Sequence, residues 1–167
     1  MVLKMKKENW KSLLISISIS LGVGIVSSVL NMGGMGAYSE MYRPPLAPPA
    51  WVFPVVWTIL YLLMGIAAWL VWETGVRNGK ETEEEVQLGL TLYAIQLMLN
   101  FIWPFLFFRL EAYFLALADL LLLWLAVYLT IKQFAKVNRI AAALLVPYLV
   151  WLTFAGYLNL AIAIHYE

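Results

Sequence analysis

The chain has 167 residues, of which 63% are hydrophobic and only 13% are charged, and its mean hydropathy is +0.83. An ordinary soluble domain carries about 25% charged residues, so this composition excludes a water-soluble globular protein. The net charge of +1 offers no basic surface for nucleic acid, and the absence of cysteine excludes disulfides and thiolate metal sites.

Five apolar stretches are each long enough to cross a bilayer as a helix, which takes about 20 mostly apolar residues. They do not alternate apolar and polar residues as barrel strands do. We therefore predict an all-α polytopic membrane protein, a single domain over residues 1–167 built as a bundle of five transmembrane helices. The predicted helices span residues 12–31, 51–73, 86–108, 112–132 and 140–164.

The first predicted helix follows a basic amino-terminal segment, as a signal peptide would. Its apolar stretch is longer than the 7–15 residues typical of a signal-peptide core, so we predict a retained helix. Ser16, Ser20, Gly24 and Ser28 recur at every fourth position. Such a stripe of small residues lets another helix pack closely. The pattern favours a neighbour within the chain and leaves a second protomer open.

The first loop, residues 32–50, contains two proline pairs, Pro44-Pro45 and Pro48-Pro49. Paired prolines favour extended or turn backbone and cannot continue a helix. The loop is much longer than the usual connection of about 4–6 residues. We therefore predict that it acts as a lid or a binding loop over one end of the bundle.

The basic residues are distributed unequally between the two sides of the predicted bundle. Nine lie on the side that holds the amino terminus, the second loop and the fourth loop, whereas Arg43 and Arg109 alone lie on the other. The nine are Lys4, Lys6, Lys7, Lys11, Arg77, Lys80, Lys132, Lys136 and Arg139. By the positive-inside rule, the amino terminus is cytoplasmic, and the first loop and the carboxyl terminus are outside.

Aromatic and amide side chains recur on single faces of the last four helices, at one depth in the predicted outer half of the membrane. They are Trp57 and Tyr61, with Trp51 at the same level, then Gln96, Asn100, Trp103 and Phe107, and finally Tyr148, Trp151 and Asn159; the carboxylate of Asp119 and the small side chain of Ala155 lie among them. Polar groups in a bilayer are costly unless they point inward, pair or line a cavity. We predict that they surround a mostly apolar, flat-walled chamber that suits a planar aromatic or rigid polycyclic ligand.

Several tryptophans near helix ends have a second interpretation. Trp51, Trp69 and Trp72 lie where interfacial anchors of the aromatic belt are found, and for Trp69 and Trp72 we favour that role. Pro104 and Pro147 are expected to kink the third and fifth helices, which would widen a pocket or serve packing.

The polar residues inside the helices also leave alternatives open. Gln96 and Asn100 suit hydrogen bonding between helices as well as they suit ligand contact. For Asp119 we favour a paired structural carboxylate over a proton relay or a ligand contact, because no basic residue shares its helix interior.

Residue types needed for conventional catalysis are missing from the predicted membrane layer. The one histidine, His165, lies at the tail, and the layer holds neither a carboxylate pair nor a nucleophile, base and acid set. A haem would lack an axial ligand other than tyrosine or methionine. We therefore predict no catalytic residue and no metal site.

Four segments resemble, in order, the motifs of the translocator protein family, also called the tryptophan-rich sensory protein or peripheral-type benzodiazepine receptor family. They are PPAWVFPVVWTILY (48–61), QLMLNFIWP with FF (96–104, 107–108), ADLLL (118–122) and PYLVWLTFA with LN (147–155, 158–159). Ala37 and Leu46 depart from the family pattern, which often has tryptophan at both positions. The loop is thereby poorer in aromatic side chains.

The resemblance implies a five-helix bundle, often a homodimer, that binds porphyrins such as protoporphyrin IX, sterols, and synthetic isoquinoline or benzodiazepine ligands. Matched to this sequence, it implies ligand-binding positions at Tyr38, Trp51, Trp57, Tyr61, Asn100, Trp103, Trp151, Ala155 and Leu158. Gln96, Asp119 and Asn159 are expected as structural or secondary polar positions.

From these observations we expect an integral membrane protein that binds tetrapyrroles and senses, transports or helps degrade porphyrins. Its expected partners are a porphyrin or another planar lipophilic molecule, membrane lipid, and a second copy in a homodimer, with no required cofactor. Three alternatives stay open: a transporter of lipophilic metabolites or sterols, a membrane scaffold or regulatory partner without catalysis, and an enzyme that degrades bound porphyrin with light or oxygen.

Overall fold

The computed structural model describes residues 9–32, 38, 40–79 and 83–166. The helices are α1 (Asn9–Leu30), α2 (Val52–Asn78), α3 (Glu83–Pro104), α4 (Tyr113–Val137) and α5 (Arg139–Tyr166), with a π-helical segment, Phe105–Arg109, continuing α3. Each of the five is long and apolar enough to cross a membrane, and these described ranges contain no strand. The predicted all-α, five-helix membrane bundle is confirmed.

The helices run past several of the predicted ends. α2 continues to Asn78 and α4 to Val137, beyond the predicted residues 73 and 132. The apolar stretch stops at each predicted end, but a helix needs only its backbone hydrogen bonds to continue. Polar residues such as Arg77 and Lys136 therefore extend these helices beyond their apolar portions.

Pro104 marks a change of helix geometry in the third span. The regular α-helix ends there, and residues 105–109 are π-helical. The N–H of Leu110 donates to the carbonyl of Phe105 at 3.1 Å, a bond that spans five residues. A proline lacks the N–H of the helical ladder and favours such irregular turns. Pro147, by contrast, lies inside α5, which continues on both sides of it.

The small-residue stripe of α1 packs against α2 of the same chain. Ser16 donates a hydrogen bond to the carbonyl of Gly65 at 2.7 Å, and a Cβ added at Gly65 would lie 2.7 Å from the Cα of Ile17. A Cβ added at Gly24 would lie 2.3 Å from the ring of Tyr61. These approaches are closer than any larger residue permits, so the favoured neighbour within the chain is the observed one.

Trp69 does not lie at the bundle surface. Its side chain is buried, and its indole N–H donates to Ser12 Oγ at 3.1 Å, across the contact between α2 and α1. The interpretation of Trp69 as an interfacial anchor is therefore wrong, because a partner on α1 makes burial of the indole favourable. Trp72, one turn further, is exposed.

Some predicted features fall outside the described residues. They are the basic residues Lys4, Lys6, Lys7 and Lys80, and Ala37 of the first loop. The described part of that loop, residue 38 and residues 40–50, lies against α5. Tyr157 donates to the carbonyl of Pro45 at 2.8 Å, and the N–H of Tyr42 donates to Tyr166 Oη at 2.8 Å.

Candidate ligand-binding site

A chamber of approximately 380 Å³ lies between the helices, at the end of the bundle that carries the first loop. All five helices and the loop contribute to its lining, which is mostly apolar. Small-molecule pockets in proteins typically measure about 300–1,000 Å³ and combine apolar walls with a few polar groups. The chamber matches that description and is the principal candidate site.

Three tryptophans from three different helices stand in the chamber wall. Trp103 stacks on Phe107 with ring centroids 4.8 Å apart and an interplanar angle of 24°. Trp57 lies 5.7 Å from the ring of Tyr61, and Trp151 presents its edge to another aromatic ring. Aromatic neighbours in these geometries restrain one another and form flat apolar faces. These rings therefore supply flat apolar surfaces to the wall of the chamber.

Asn100 joins three helices beneath these rings. Its Oδ1 atom accepts a hydrogen bond from the hydroxyl of Tyr61, and its Nδ2 atom donates to Tyr148 Oη at 2.7 Å. The amide is buried, yet it also lines the chamber. Hydrogen bonding between helices, one of the two roles considered for Asn100, is therefore observed. The amide keeps one N–H beyond the bond to Tyr148.

Asn159 holds the Trp103 ring in position. The indole N–H donates to Asn159 Oδ1 at 3.1 Å, while Asn159 Nδ2 donates to the carbonyl of Tyr113 at 2.9 Å. Both ends of the amide are therefore used. Because Asn159 is itself buried, these bonds compensate its removal from water and set the plane of one chamber wall.

Trp151 differs from the other two tryptophans in its hydrogen bonding. Its Nε1 atom is buried, and no hydrogen-bond partner for it exists among the described residues. The ring makes angled contacts with Phe53, at 5.8 Å between centroids, and with Phe154, at 5.7 Å. A buried unpaired donor costs about 1–3 kcal/mol. An acceptor on a molecule bound in the chamber would remove that cost.

Tyr38 lies over the chamber as its contribution from the loop. Its ring is buried, with its centroid 4.8 Å from that of Phe53 in an edge-to-face arrangement, and its hydroxyl donates to the carbonyl of Pro48 at 3.4 Å. Burial raises the pKa of the Tyr38 hydroxyl above its ordinary value of 10, and the charge of Arg43 partly offsets this rise. The hydroxyl is therefore a neutral donor at physiological pH.

Eight of the nine predicted ligand positions line the chamber. They are Tyr38, Trp57, Tyr61, Asn100, Trp103, Trp151, Ala155 and Leu158. Trp51 does not belong to this lining. It precedes the first turn of α2, and its side chain is 67% exposed. Trp51 therefore does not share the helical face that carries Trp57. The exposure of Trp51 fits the interfacial interpretation.

The three secondary polar positions divide between two places. Asn159 lines the chamber, whereas Gln96 and Asp119 are buried outside its lining. Gln96 Nε2 lies 3.6 Å from Met64 Sδ, and within the described ranges neither Gln96 Oε1 nor Asp119 Oδ2 has a hydrogen-bond partner. Gln96 and Asp119 therefore lie in the packing between helices, whereas Asn159 lies at the chamber wall.

The sequence interpretation missed the contribution of α1. Leu21, Gly24, Ile25 and Ser28 all line the chamber, as does Phe53 from the start of α2. The small-residue stripe by itself predicts only helix packing. Its last two members, Gly24 and Ser28, lie at the same depth as the aromatic residues of the other helices, and that coincidence is the signal by which α1 could have been included.

Comparisons with known proteins point to one family. Residues 16–165 match the family model described as the TspO/MBR family. The chain is 41% identical over 152 residues to the tryptophan-rich protein TspO of Chlorobaculum tepidum, covering 90% of this chain and 93% of that protein. It is similar to protein CrtK of Rhodobacter capsulatus, at 37% identity over 83% and 82% of the two chains. It is also similar to the translocator protein of Bos taurus, at 39% identity over 84% and 80%.

Proposed function

This chain belongs to the TspO/MBR family, and from that premise we propose that it is an integral membrane protein that binds a porphyrin or a related tetrapyrrole in the chamber between its helices. The observation that carries the proposal is the placement of Trp57, Trp103 and Trp151 around one mostly apolar space. A planar macrocycle buries its two faces best against such flat aromatic walls.

Each lining group has a distinct proposed role. Trp57, Trp103 and Trp151 stack against the macrocycle or its edges, and the indole N–H of Trp151 donates to an acceptor on the ligand. The remaining N–H of Asn100 orients a polar substituent, and Tyr38 covers the bound molecule. The chamber lining, over the described residues, includes no histidine or cysteine. Binding by stacking therefore requires no axial bond to a metal.

The proposal is tested by titrating the reconstituted protein with protoporphyrin IX and following the quenching of tryptophan fluorescence. Binding should be saturable, and both Trp151→Phe and Asn100→Ala should weaken it. Unchanged affinity in both variants would contradict the site assignment. Because quenching depends on the indoles themselves, the shift of the porphyrin absorption band should be recorded as an independent signal in every variant.

Transport of a lipophilic molecule is the second candidate function. It is favoured by the exposed side chains in the chamber lining, since a site that communicates with the surrounding membrane can exchange its ligand there. Uptake of protoporphyrin IX into protein-containing vesicles, compared with vesicles that contain Trp151→Phe, separates transport from binding alone. Accumulation that merely equals the bound amount would exclude transport.

A further inference from the structure

The walls of the chamber differ sharply in their exposure. Lining residues from α3, α4 and α5 are buried or half-buried, and Asn100, Leu123 and Leu152 are among the buried ones. Several lining residues at the end of α1 next to the first loop and at the start of α2 are exposed instead. Ile25 is 61% exposed and Val29 is 54% exposed. The remaining exposed members of this wall are Ser28, Pro54 and Thr58. These side chains face the chamber and the outside of the bundle at once.

Deeper in the bundle, α1 and α2 pack directly against each other. Gly24 lies directly against the ring of Tyr61, and further along, the backbone of α1 at Ile17 touches Gly65. Ser16 adds its hydrogen bond to the Gly65 carbonyl. No side chain larger than hydrogen fits at either glycine without a shift of its neighbours. The opening between α1 and α2 is therefore confined to the part of the bundle beside the chamber.

The loop side of the chamber is covered by comparison. Tyr38 is buried over the chamber and is bonded to the carbonyl of Pro48. The loop is fastened to α5 by the hydrogen bond from Tyr157 to Pro45, and the Tyr42 ring stacks on His165 with centroids 4.0 Å apart. A molecule that came from water past these described residues of the loop would have to displace these contacts.

We propose that the cleft between α1 and α2 is the entrance by which a planar amphiphile dissolved in the lipid reaches the chamber. The cleft is bounded by Ile25, Ser28 and Val29 on one helix and by Pro54 and Thr58 on the other. Both helices span the membrane, so their exposed faces meet lipid, where an apolar ligand concentrates. Thr58 Oγ1 already donates to the Pro54 carbonyl at 2.7 Å, so this hydroxyl presents little desolvation penalty to a passing apolar molecule.

This inference rests on the proposed function, because it concerns the route to the same chamber. It adds that the ligand is drawn from the bilayer and not from water. An obstruction at an entrance slows association and dissociation together and leaves the equilibrium constant unchanged. A change in the chamber itself alters the equilibrium constant. The two kinds of effect are therefore separable by kinetics.

The first test places a phenyl ring in the cleft without adding a new indole. Thr58→Phe and Ile25→Phe narrow it, while Val55→Phe and Ile19→Phe put the same ring at exposed positions of the same helices outside the chamber lining. Transfer of protoporphyrin IX from phosphatidylcholine vesicles to the protein in phosphatidylcholine bilayers is followed by stopped-flow fluorescence. Both cleft variants should lose about tenfold in association and dissociation rates, a loss in each rate that exceeds any accompanying change in Kd, and both controls should keep their rates.

The outcomes distinguish the entrance from the site. Unchanged rates in both cleft variants, with normal affinity, would overturn the entrance and leave the proposed function intact. Absence of porphyrin binding in the unmodified protein would overturn the proposed function and the entrance with it. Equal slowing in cleft and control variants would also overturn the entrance, since the effect would then not depend on the cleft.

The second test uses the absence of cysteine from the chain. The pair Ser28→Cys and Thr58→Cys is bridged across the cleft by a reductant-cleavable bifunctional maleimide. A matched pair, Tyr42→Cys and His165→Cys, fastens the loop to α5 instead. The cleft bridge should slow porphyrin transfer and reductant should restore it, whereas the loop bridge should leave transfer unchanged. The reverse pattern would overturn the entrance in favour of a passage through the loop.

Discussion

The indole nitrogen of Trp103 lies 3.1 Å from the Oδ1 atom of Asn159, and this hydrogen bond links α3 to α5 at the chamber wall. The same amide donates to the Tyr113 carbonyl at the start of α4. A single buried asparagine thus ties three helices together and sets the orientation of one aromatic face. Its contribution to stability and its contribution to binding should be separable.

Replacement of Asn159 by leucine should destabilise the fold. The change leaves the Trp103 N–H without its acceptor, and an unpaired buried donor costs about 1–3 kcal/mol. We expect a lower midpoint in denaturation of the protein in detergent. The double variant Trp103→Phe/Asn159→Leu should be less destabilised than the sum of the single changes, because the phenyl ring needs no acceptor. Strict additivity would show that the hydrogen bond contributes little.

Gly65→Ala should be among the most damaging small substitutions in the chain. The new Cβ would lie 2.7 Å from the Cα of Ile17, which is backbone and cannot move aside without separating α1 from α2. Overpacking of this kind costs about 1–3 kcal/mol, which should appear as a lower midpoint of thermal unfolding in detergent.

Gly22→Ala is the matched control for that substitution. Among the described residues, nothing lies within 4 Å of a Cβ placed at Gly22. Alanine favours helix by about 1 kcal/mol over glycine in water, so Gly22→Ala should be neutral or stabilising. Equal stability of the two variants would contradict the close approach of α1 and α2.

Trp151→Phe should weaken porphyrin binding, whereas Trp51→Phe should leave it unchanged. Trp151 lines the chamber and carries the unpaired N–H, whereas Trp51 is exposed outside it. Loss of the larger stacking face is worth about 0.5–1.5 kcal/mol, so Kd should rise about twofold to tenfold for Trp151→Phe. It should not change for Trp51→Phe. A weakened Trp51→Phe variant would place the ligand outside the chamber.

Tyr148→Phe should affect stability and not affinity. Tyr148 accepts the hydrogen bond from Asn100 but does not belong to the chamber lining. Its loss removes one bond, worth about 0.5–1.5 kcal/mol net, and we expect Kd for protoporphyrin IX to stay within about twofold. Asn100→Ala, which loses bonds to Tyr61 and Tyr148 and a lining group, should impair both. Equal affinities for these two variants would reduce Asn100 to a purely structural role.

The predicted orientation can be tested with single cysteines in the cysteine-free chain. Glu84→Cys lies at the start of α3 and His165→Cys at the end of α5, at opposite ends of the bundle. With a cytoplasmic amino terminus, an impermeant maleimide added outside intact cells should label His165→Cys and spare Glu84→Cys until the membrane is opened. The opposite labelling would invert the predicted topology.

The fold could be predicted from the sequence because five apolar stretches of spanning length leave few alternatives for the backbone in lipid. Faces could also be predicted, since Trp103 and Phe107 are four residues apart and do stack. What periodicity does not encode is the rotation of one helix against its neighbours. Trp69 is therefore buried although its position near a helix end favours a surface anchor, because its partner Ser12 on α1 is distant in sequence.

The π-helical turn after Pro104 also has a consequence for how this protein tolerates insertions and deletions. Its wider winding lets Phe107 and Phe108 both reach Trp103, at 4.8 and 6.1 Å. Deletion of one residue between 105 and 109 would restore the tighter winding, so that Phe107 and Phe108 could no longer both reach Trp103. The number of residues in this stretch therefore matters more than their exact identity. Substitution of one aromatic residue by another should be tolerated, whereas deletion of a single residue should not.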